Sequence, residues 1–180
     1  MYTLVRGIAT GTVPAVPAGA DARLDLVPVD DVARLCVETA LDDTVPAGTI
    51  RTIAGGVDSP TVPALLETIV DSLNAWREPH DRPPLIAPRV IAPDSWRRFF
   101  RPFAHDHLSA RQNRTLDLLG HFEPYLAESI GVDATHRAAP IADCIRACLL
   151  FWADAHPRLA GATATPWRGS PEPVAAGVSG

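Results

Sequence analysis

The spacing of apolar residues at the start of the chain predicts a short helix, a loop and a strand. Residues 2–10 place apolar side chains on one helical face, and Gly11 follows as a left-handed stop. Residues 12–22 are rich in Pro, Ala and Gly and are expected to form a loop. The run Leu24-Asp25-Leu26-Val27 then alternates as a short strand does.

Helical spacing returns over residues 30–41. Asp30 and Asp31 stand at its start, where carboxylates cap free N–H groups and meet the positive helix end, so we expect capping rather than acid–base chemistry. The apolar positions recur at intervals of three and four, which predicts a buried stripe. Its members are Val29, Val32, Ala33, Cys36, Val37 and Ala40.

A second strand and helix follow in the same order. Residues 49–54 read as a strand that Gly55 and Gly56 end, and Ser59 or Thr61 is expected to cap the next helix. The buried stripe predicted for this helix is Val62, Leu65, Leu66, Ile69, Val70 and Leu73. This alternation of strands and helices is typical of an α/β fold.

The second half of the chain is predominantly helical in its pattern. A Pro-rich stretch with a short strand at 89–91 leads to an aromatic helix that begins at Asp94 or Ser95. Further helices are expected from Ser109, with Leu116, Leu119 and Phe122 inward, and over residues 141–155. We therefore predict an α/β portion over 1–92, a helical extension over 93–158 and a disordered tail over 159–180.

Composition and charge narrow the chemistry. The chain has 180 residues and a net charge of −5, which gives no reason to expect nucleic-acid binding. All 16 basic residues are Arg, so mechanisms that need a lysine ammonium are excluded. No signal peptide or membrane-spanning run is visible, so a cytoplasmic location is expected.

The cysteines and histidines give no metal or disulfide signature. Three cysteines form no paired spacing, and Cys144 and Cys148, four apart on a predicted helix, are expected to be buried free thiols. His105 and His107 flank Asp106 in a stretch read as a solvated linker rather than as a set of metal ligands. No metal site is therefore predicted.

The run Leu24-Asp25-Leu26-Val27-Pro28-Val29-Asp30-Asp31-Val32-Ala33 resembles a motif of extended short-chain dehydrogenases/reductases. In that superfamily an apolar strand leads to Pro or His, and Val-Asp-x-Val-Ala then opens a helix. The context is similar as well, with a Gly-terminated helix before the run, a strand at 50–55 after it, and a helix opened near Thr61. The resemblance covers about residues 1–125 and is strongest over 24–75.

Pro28 and the helical extension look most like the fatty acyl-CoA reductase (male-sterility) branch, with thioester reductases as close relatives. The resemblance implies the C-terminal part of an extended Rossmann-type reductase, with two or three short strands. It also implies a parent reaction in which NADPH reduces an acyl thioester to an aldehyde or an alcohol.

The family's cofactor and catalytic motifs are not found in this sequence. No Gly-rich loop follows a strand, and Tyr2 and Tyr125 cannot form the family's Tyr-x-x-x-Lys pair because the chain has no Lys. We therefore assign no catalytic or cofactor-binding residue and expect no cofactor bound by this chain alone. The expected role is substrate binding. The sequence would be either a truncated C-terminal part of the reductase or a split subunit, and in the second case a partner chain would carry the nucleotide-binding half.

Five residues are candidates for the walls of an acyl pocket: Arg6, Pro28, Trp96, Phe99 and Phe100. The aromatic helix, which also carries Phe103 and three arginines, has two other interpretations: packing against the sheet, which we favour, and contact with a membrane surface. Two alternatives to the reductase function stay open. The chain could be a non-catalytic interaction module or an acyl- or lipid-binding protein.

Overall fold

The computed structural model describes residues 2–127 and 134–163 of the chain. Within these residues the structure is mostly helical, with four short strands that pair in parallel in two small sheets. The prediction of an α/β fold whose second half is mostly helical is confirmed, although the described residues form four strands where two or three were expected.

The helix that follows Thr61 lies at the centre of the core. In α3 (Val62–Arg77) the Thr61 side chain accepts a hydrogen bond from Ala64 N, so Thr61 rather than Ser59 is the cap. All six residues of the predicted stripe are buried. Helix α8 (Ala142–Ala155) packs along α3, and Trp76 Nε1 donates to Asp154 Oδ1 at 2.7 Å.

The N-terminal helix and the first sheet lie against this core. Helix α1 (Tyr2–Ala9) ends as predicted before Gly11, whose φ is +65°. The predicted loop that follows contains a strand, β1 (Ala15–Pro17), which pairs in parallel with β3 (Arg89–Ile91). The loop prediction was wrong here because a strand buried along its whole length shows no alternation of apolar and polar residues.

The strand predicted at residues 24–27 does not form. Arg23 makes a single antiparallel bridge with Thr61, and Leu24 N donates to Pro60 O at 3.1 Å. Asp25 Oδ1 accepts from Gly55 N at 2.7 Å and from Ser59 Oγ. Single bonds of this kind hold the segment extended without the repeated ladder that defines a strand.

Helix α2 (Val29–Leu41) has the predicted bounds but not the predicted orientation. Leu35 is its buried residue, and the half-buried Asp31 and Thr39 share that face. The stripe predicted to be buried instead faces outward, with Val29 76% and Val37 58% exposed.

The caps predicted for α2 are also absent. The N-cap residue is Pro28, with no side-chain cap, and Asp30 and Asp31 lie in the first turn. Asp31 there accepts from Arg34 Nη2 at 2.8 Å and from Ala139 N at 2.9 Å. These hydrogen bonds, the Arg34 bond above all, lower the pKa of Asp31.

The second strand prediction was too long. Only β2 (Ile53–Ala54) forms, in parallel with β4 (His136–Arg137). Gly56, with φ of +59°, begins a 3-10 turn over Gly56–Asp58. The partner strand β4 is two residues long, which explains why the strand is shorter than its β-propensity indicates.

The aromatic stretch forms a continuous helical run. Its parts are α4 (Pro93–Ser95), a π-helical turn (Trp96–Phe100) and α5 (Arg101–His107). The run begins at Pro93, one residue before the predicted start, because proline fits a first helical turn. The His105–His107 stretch, predicted as a linker, is the exposed last turn of α5.

The remaining helices complete the second half. They are α6 (Ala110–Gly120), α7 (Glu123–Ala127) and α9 (Pro157–Ala160). Within α6, Leu116 and Leu119 are buried as predicted, but Phe122 beyond its end is 56% exposed.

Two further expectations concern α8 and the C-terminus. Cys144 is exposed and Cys148 is half-buried, so the prediction of two buried thiols was wrong. Leu159 and Ala160 belong to α9, and residues 164–180 of the predicted tail lie outside the described residues. No helix in the described ranges is long and apolar enough to cross a bilayer.

Candidate ligand-binding site

A cavity of about 250 Å³, here called the apolar cavity, opens where α1, the 24–26 segment, α3 and the α6–α7 region meet. Its walls are almost wholly hydrocarbon. They are formed by Thr3, Leu4, Leu24, Leu26, Leu65, Leu118, Leu119, Phe122, Tyr125 and Leu126.

Local hydrogen bonds turn two of these leucines toward the cavity. Leu24 N donates to Pro60 O, and Asp25 Oδ1 accepts from Gly55 N. These two hydrogen bonds fix the extended segment at Leu24 and at Asp25. Alternate side chains of an extended segment point to opposite sides. Leu24 and Leu26 therefore face the cavity together, while Asp25 between them faces away to Gly55.

A second cavity of about 350 Å³, here called the arginine cavity, adjoins the first. It is lined by Thr3, Arg6, Gly7, Thr10, Thr12, Arg111, Arg114, Thr115 and Leu118. Thr3 and Leu118 line both cavities, so the two spaces share a boundary.

Helix α6 supplies two of the three arginines. Arg111 and Arg114 are three residues apart, and residues at this spacing share a helix face. A capping box fixes the start of the helix: Ser109 Oγ accepts from Gln112 N, and Gln112 Oε1 accepts from Ser109 N at 3.0 Å. The cap therefore fixes the first turn of the helix that carries both arginines.

The charge of the arginine cavity is not neutralised by the described chain. None of the described residues that line it is acidic, and no salt bridge joins Arg6, Arg111 or Arg114 to a carboxylate among the described residues. The one carboxylate on α6, Asp117, is paired with Arg101. The cavity thus concentrates positive charge on a chain whose net charge is negative.

Three threonine hydroxyls of this cavity already donate within the protein. Thr10 Oγ1 donates to Arg6 O at 2.8 Å, Thr12 Oγ1 to Gly7 O, and Thr115 Oγ1 to Arg111 O at 3.0 Å. A hydroxyl has a single proton to donate. The three guanidinium groups are therefore the main donors that the cavity offers to a ligand.

Gly7 allows the floor of the arginine cavity to form. A Cβ at this position would overlap Val13 Cγ2, because the chain after Gly11 folds back against α1. Thr12 Oγ1 donates to Gly7 O in the same close approach, at 3.3 Å.

One of the five predicted pocket residues, Arg6, lines these cavities. Pro28 is half-buried at the start of α2, away from both linings. Trp96 is buried and stacks on Phe100 with ring centroids 4.6 Å apart, while Phe99 is 71% exposed. The aromatic helix therefore supplies no wall of the two cavities, and Trp96 belongs to the core.

Sequence reasoning missed Arg111 and Arg114 and most of the leucines. The signal that could have found the arginines is the order Arg111, Arg114, Thr115, Leu118 on one face of α6, which passes from basic to apolar. The leucines of the 24–26 segment were missed because that segment was predicted to be a strand.

The described groups whose pKa is clearly displaced, such as Asp31 and the buried Arg77, lie outside both linings. No cluster of three or more metal-ligating side chains occurs in the described part of the chain. The two adjoining cavities place a hydrocarbon lining next to guanidinium groups.

Neither a family model, nor a curated protein, nor a solved structure matches this chain.

Proposed function

We propose that this chain is the substrate-binding, C-terminal portion of an NAD(P)-dependent fatty acyl-CoA or thioester reductase, and that it holds the acyl chain in the apolar cavity. One observation carries the proposal: Leu24 and Leu26, from the run that resembles the reductase motif, line that cavity. Leu4, from the helix that precedes the motif, lines it with them.

The size and lining of the cavity fit a short length of hydrocarbon. Its volume of about 250 Å³ is just below the roughly 300–1,000 Å³ of typical small-molecule sites. Each methylene group transferred from water into such a lining contributes about 0.8 kcal/mol. An acyl segment of a few methylenes is therefore enough for measurable affinity.

The hydride chemistry of the parent reaction is assigned to residues outside this sequence. A Tyr–Lys acid needs a lysine, and this sequence has none. The proposal accordingly places the nucleotide-binding half, with its NADPH, outside the 180 residues given, and gives these residues the acyl thioester.

An uncharged amphiphile tests the acyl site. Octanol titrated into the isotopically labelled protein should shift NMR signals of the cavity leucines saturably, and Leu26→Trp should weaken binding about tenfold or more by filling the space. Leu41→Trp, on the exposed face of α2, is the matched control and should bind as the wild type does.

Leu118→Phe gives a second variant in case Leu26→Trp misfolds, since Leu118 is partly exposed and tolerates a larger ring. Melting curves for each variant show whether the fold is kept. Non-saturable shifts in the wild type, or equal affinity in the folded cavity variants, would contradict the acyl site.

A second candidate function, a non-catalytic interaction module, is favoured by the outward apolar face of α2. Val29, Val37 and Leu41 are each more than half exposed there. The third candidate, an acyl- or lipid-binding protein, shares the cavity with the reductase. One experiment separates the reductase from the two other candidates: a nucleotide-binding chain is added, and reduction of an acyl thioester by NADPH is measured. Only the reductase function predicts that reduction.

A further inference from the structure

We propose that the arginine cavity is an anion subsite that receives the phosphate head of an amphiphile whose hydrocarbon lies in the apolar cavity. This inference rests on the proposed function, because it takes the apolar cavity as the site of the hydrocarbon chain. The ligand would be a hydrocarbon chain joined to a phosphate group, bound across the boundary that Thr3 and Leu118 form.

Each of the two helices that border both cavities carries basic and apolar lining residues in separate stretches. On α6 the basic residues come first and Leu118 and Leu119 follow; on α1, Thr3 and Leu4 come first and Arg6 follows. Arg111 and Leu118 are seven residues apart, which is about 10 Å along the axis at about 1.5 Å per residue. A short amphiphile can therefore reach from one end to the other.

Phosphate is the head group that this charge pattern selects. Three arginines line the cavity, and no carboxylate occurs among its described lining residues. The planar fork of arginine matches the oxygen spacing of phosphate and carboxylate, and it cannot lose its proton near neutral pH. Three such donors suit the larger charge and the three terminal oxygens of a phosphate monoester better than the two oxygens of a carboxylate.

The volumes support one ligand rather than two. Each cavity alone is at or near the lower end of the range for small-molecule sites, whereas the two together lie well within it. Because they share two wall residues, a ligand in one cavity is in contact with the wall of the other.

Three probes of matched chain length and the head group alone separate head from tail. Octyl phosphate, octanoate, octanol and inorganic phosphate are titrated into the full chain by calorimetry at low and at moderate salt. Octyl phosphate should bind about tenfold more tightly than octanol, and the advantage should shrink as salt is added. The affinity for octanoate should lie between the affinities for octyl phosphate and octanol.

Charge-removing variants assign the head group to named residues. Arg111→Gln and Arg114→Gln should each weaken octyl phosphate binding by about fivefold to tenfold and leave octanol binding unchanged. All three cavity arginines are exposed, so the variants should fold, and melting curves check this. Arg98→Gln, an exposed arginine outside both linings, is the matched control.

The outcomes distinguish this inference from the proposed function. Equal binding of octyl phosphate and octanol, unchanged in the Arg111 and Arg114 variants, would overturn the anion subsite and leave the acyl cavity standing. Arginine-dependent binding of both phosphate probes with no octanol binding would support the subsite and count against the acyl function. Tighter binding of octanoate than of octyl phosphate would overturn the assignment of phosphate.

Discussion

The guanidinium of Arg77 is buried at the end of α3 without a carboxylate partner in the described residues. Its nitrogens donate to three backbone carbonyls: Pro83 O at 2.7 Å, Ala160 O, and Ala162 O at 3.1 Å. Burial, and to a smaller extent Arg82, lower the pKa of Arg77. The residue joins the end of α3 to the carbonyl end of α9, where a cation is favoured.

Replacing Arg77 with Met should therefore lower the free energy of unfolding by about 3 kcal/mol, since buried carbonyls lose their donors. Arg77→Lys keeps the charge but lacks the planar guanidinium that donates to three carbonyls. It should therefore also lower the free energy of unfolding, by a smaller amount. Urea unfolding followed by circular dichroism measures both. A loss below about 0.5 kcal/mol for Arg77→Met would show that water satisfies these carbonyls.

At the scale of elements, α6 supplies two of the three cavity arginines and walls of both cavities. Its start depends on the capping box of Ser109 and Gln112, and Gln112 is almost completely buried. A loosened first turn would move Arg111 and Arg114 while leaving Leu118, two turns on, nearly in place.

Ser109→Ala should accordingly cost about 1 kcal/mol of stability, the usual size for loss of an N-cap side chain. It should also weaken binding of octyl phosphate more than binding of octanol. Ser109→Thr keeps the hydroxyl and is expected to retain most of both properties. Thermal melts and the same titrations measure these effects, and an equal loss for the two ligands would contradict a local effect on the first turn.

The elements also show how far sequence reasoning reached. For α3 the start and the buried stripe were predicted, with Thr61 as one of two candidate caps, because Thr61, Pro63 and the apolar spacing agree and the stripe lies in the core. For α2 the same spacing gave the bounds but the wrong face. Its inner face is fixed by distant partners, since Ala139 N donates to Asp31 and Arg51 Nη1 donates to Thr39.

The candidate site was predictable only in part for the same reason. Arg6 was named from the sequence, but the two other arginines lie more than 100 residues further along the chain. Periodicity identifies which residues share a face of one helix, and it does not identify which helix faces another. The strand of three residues, Ala15–Pro17, was missed because so short a run has no period to detect.

At the scale of the whole molecule, α2 presents a row of apolar residues to the outside. Val29, Val37 and Leu41 of α2 are 76%, 58% and 77% exposed. An apolar stripe on a helix is usually covered by protein. Under the proposed function, the chain that carries the nucleotide-binding half would cover it.

In the absence of that partner, the outward face of α2 should cause self-association. The weight-average mass from sedimentation should rise with protein concentration, and the double variant Val37→Asp with Leu41→Asp should abolish the rise. Both residues are exposed, so the stability of the double variant should change by no more than about 0.5 kcal/mol for each substitution.

Ala75→Asp with Ala147→Asp adds the same charge at exposed sites on α3 and α8 and should leave association intact. A wild-type mass that is constant with concentration would show that the face is stable in water, and loss of association in the control would assign the effect to net charge instead of to α2.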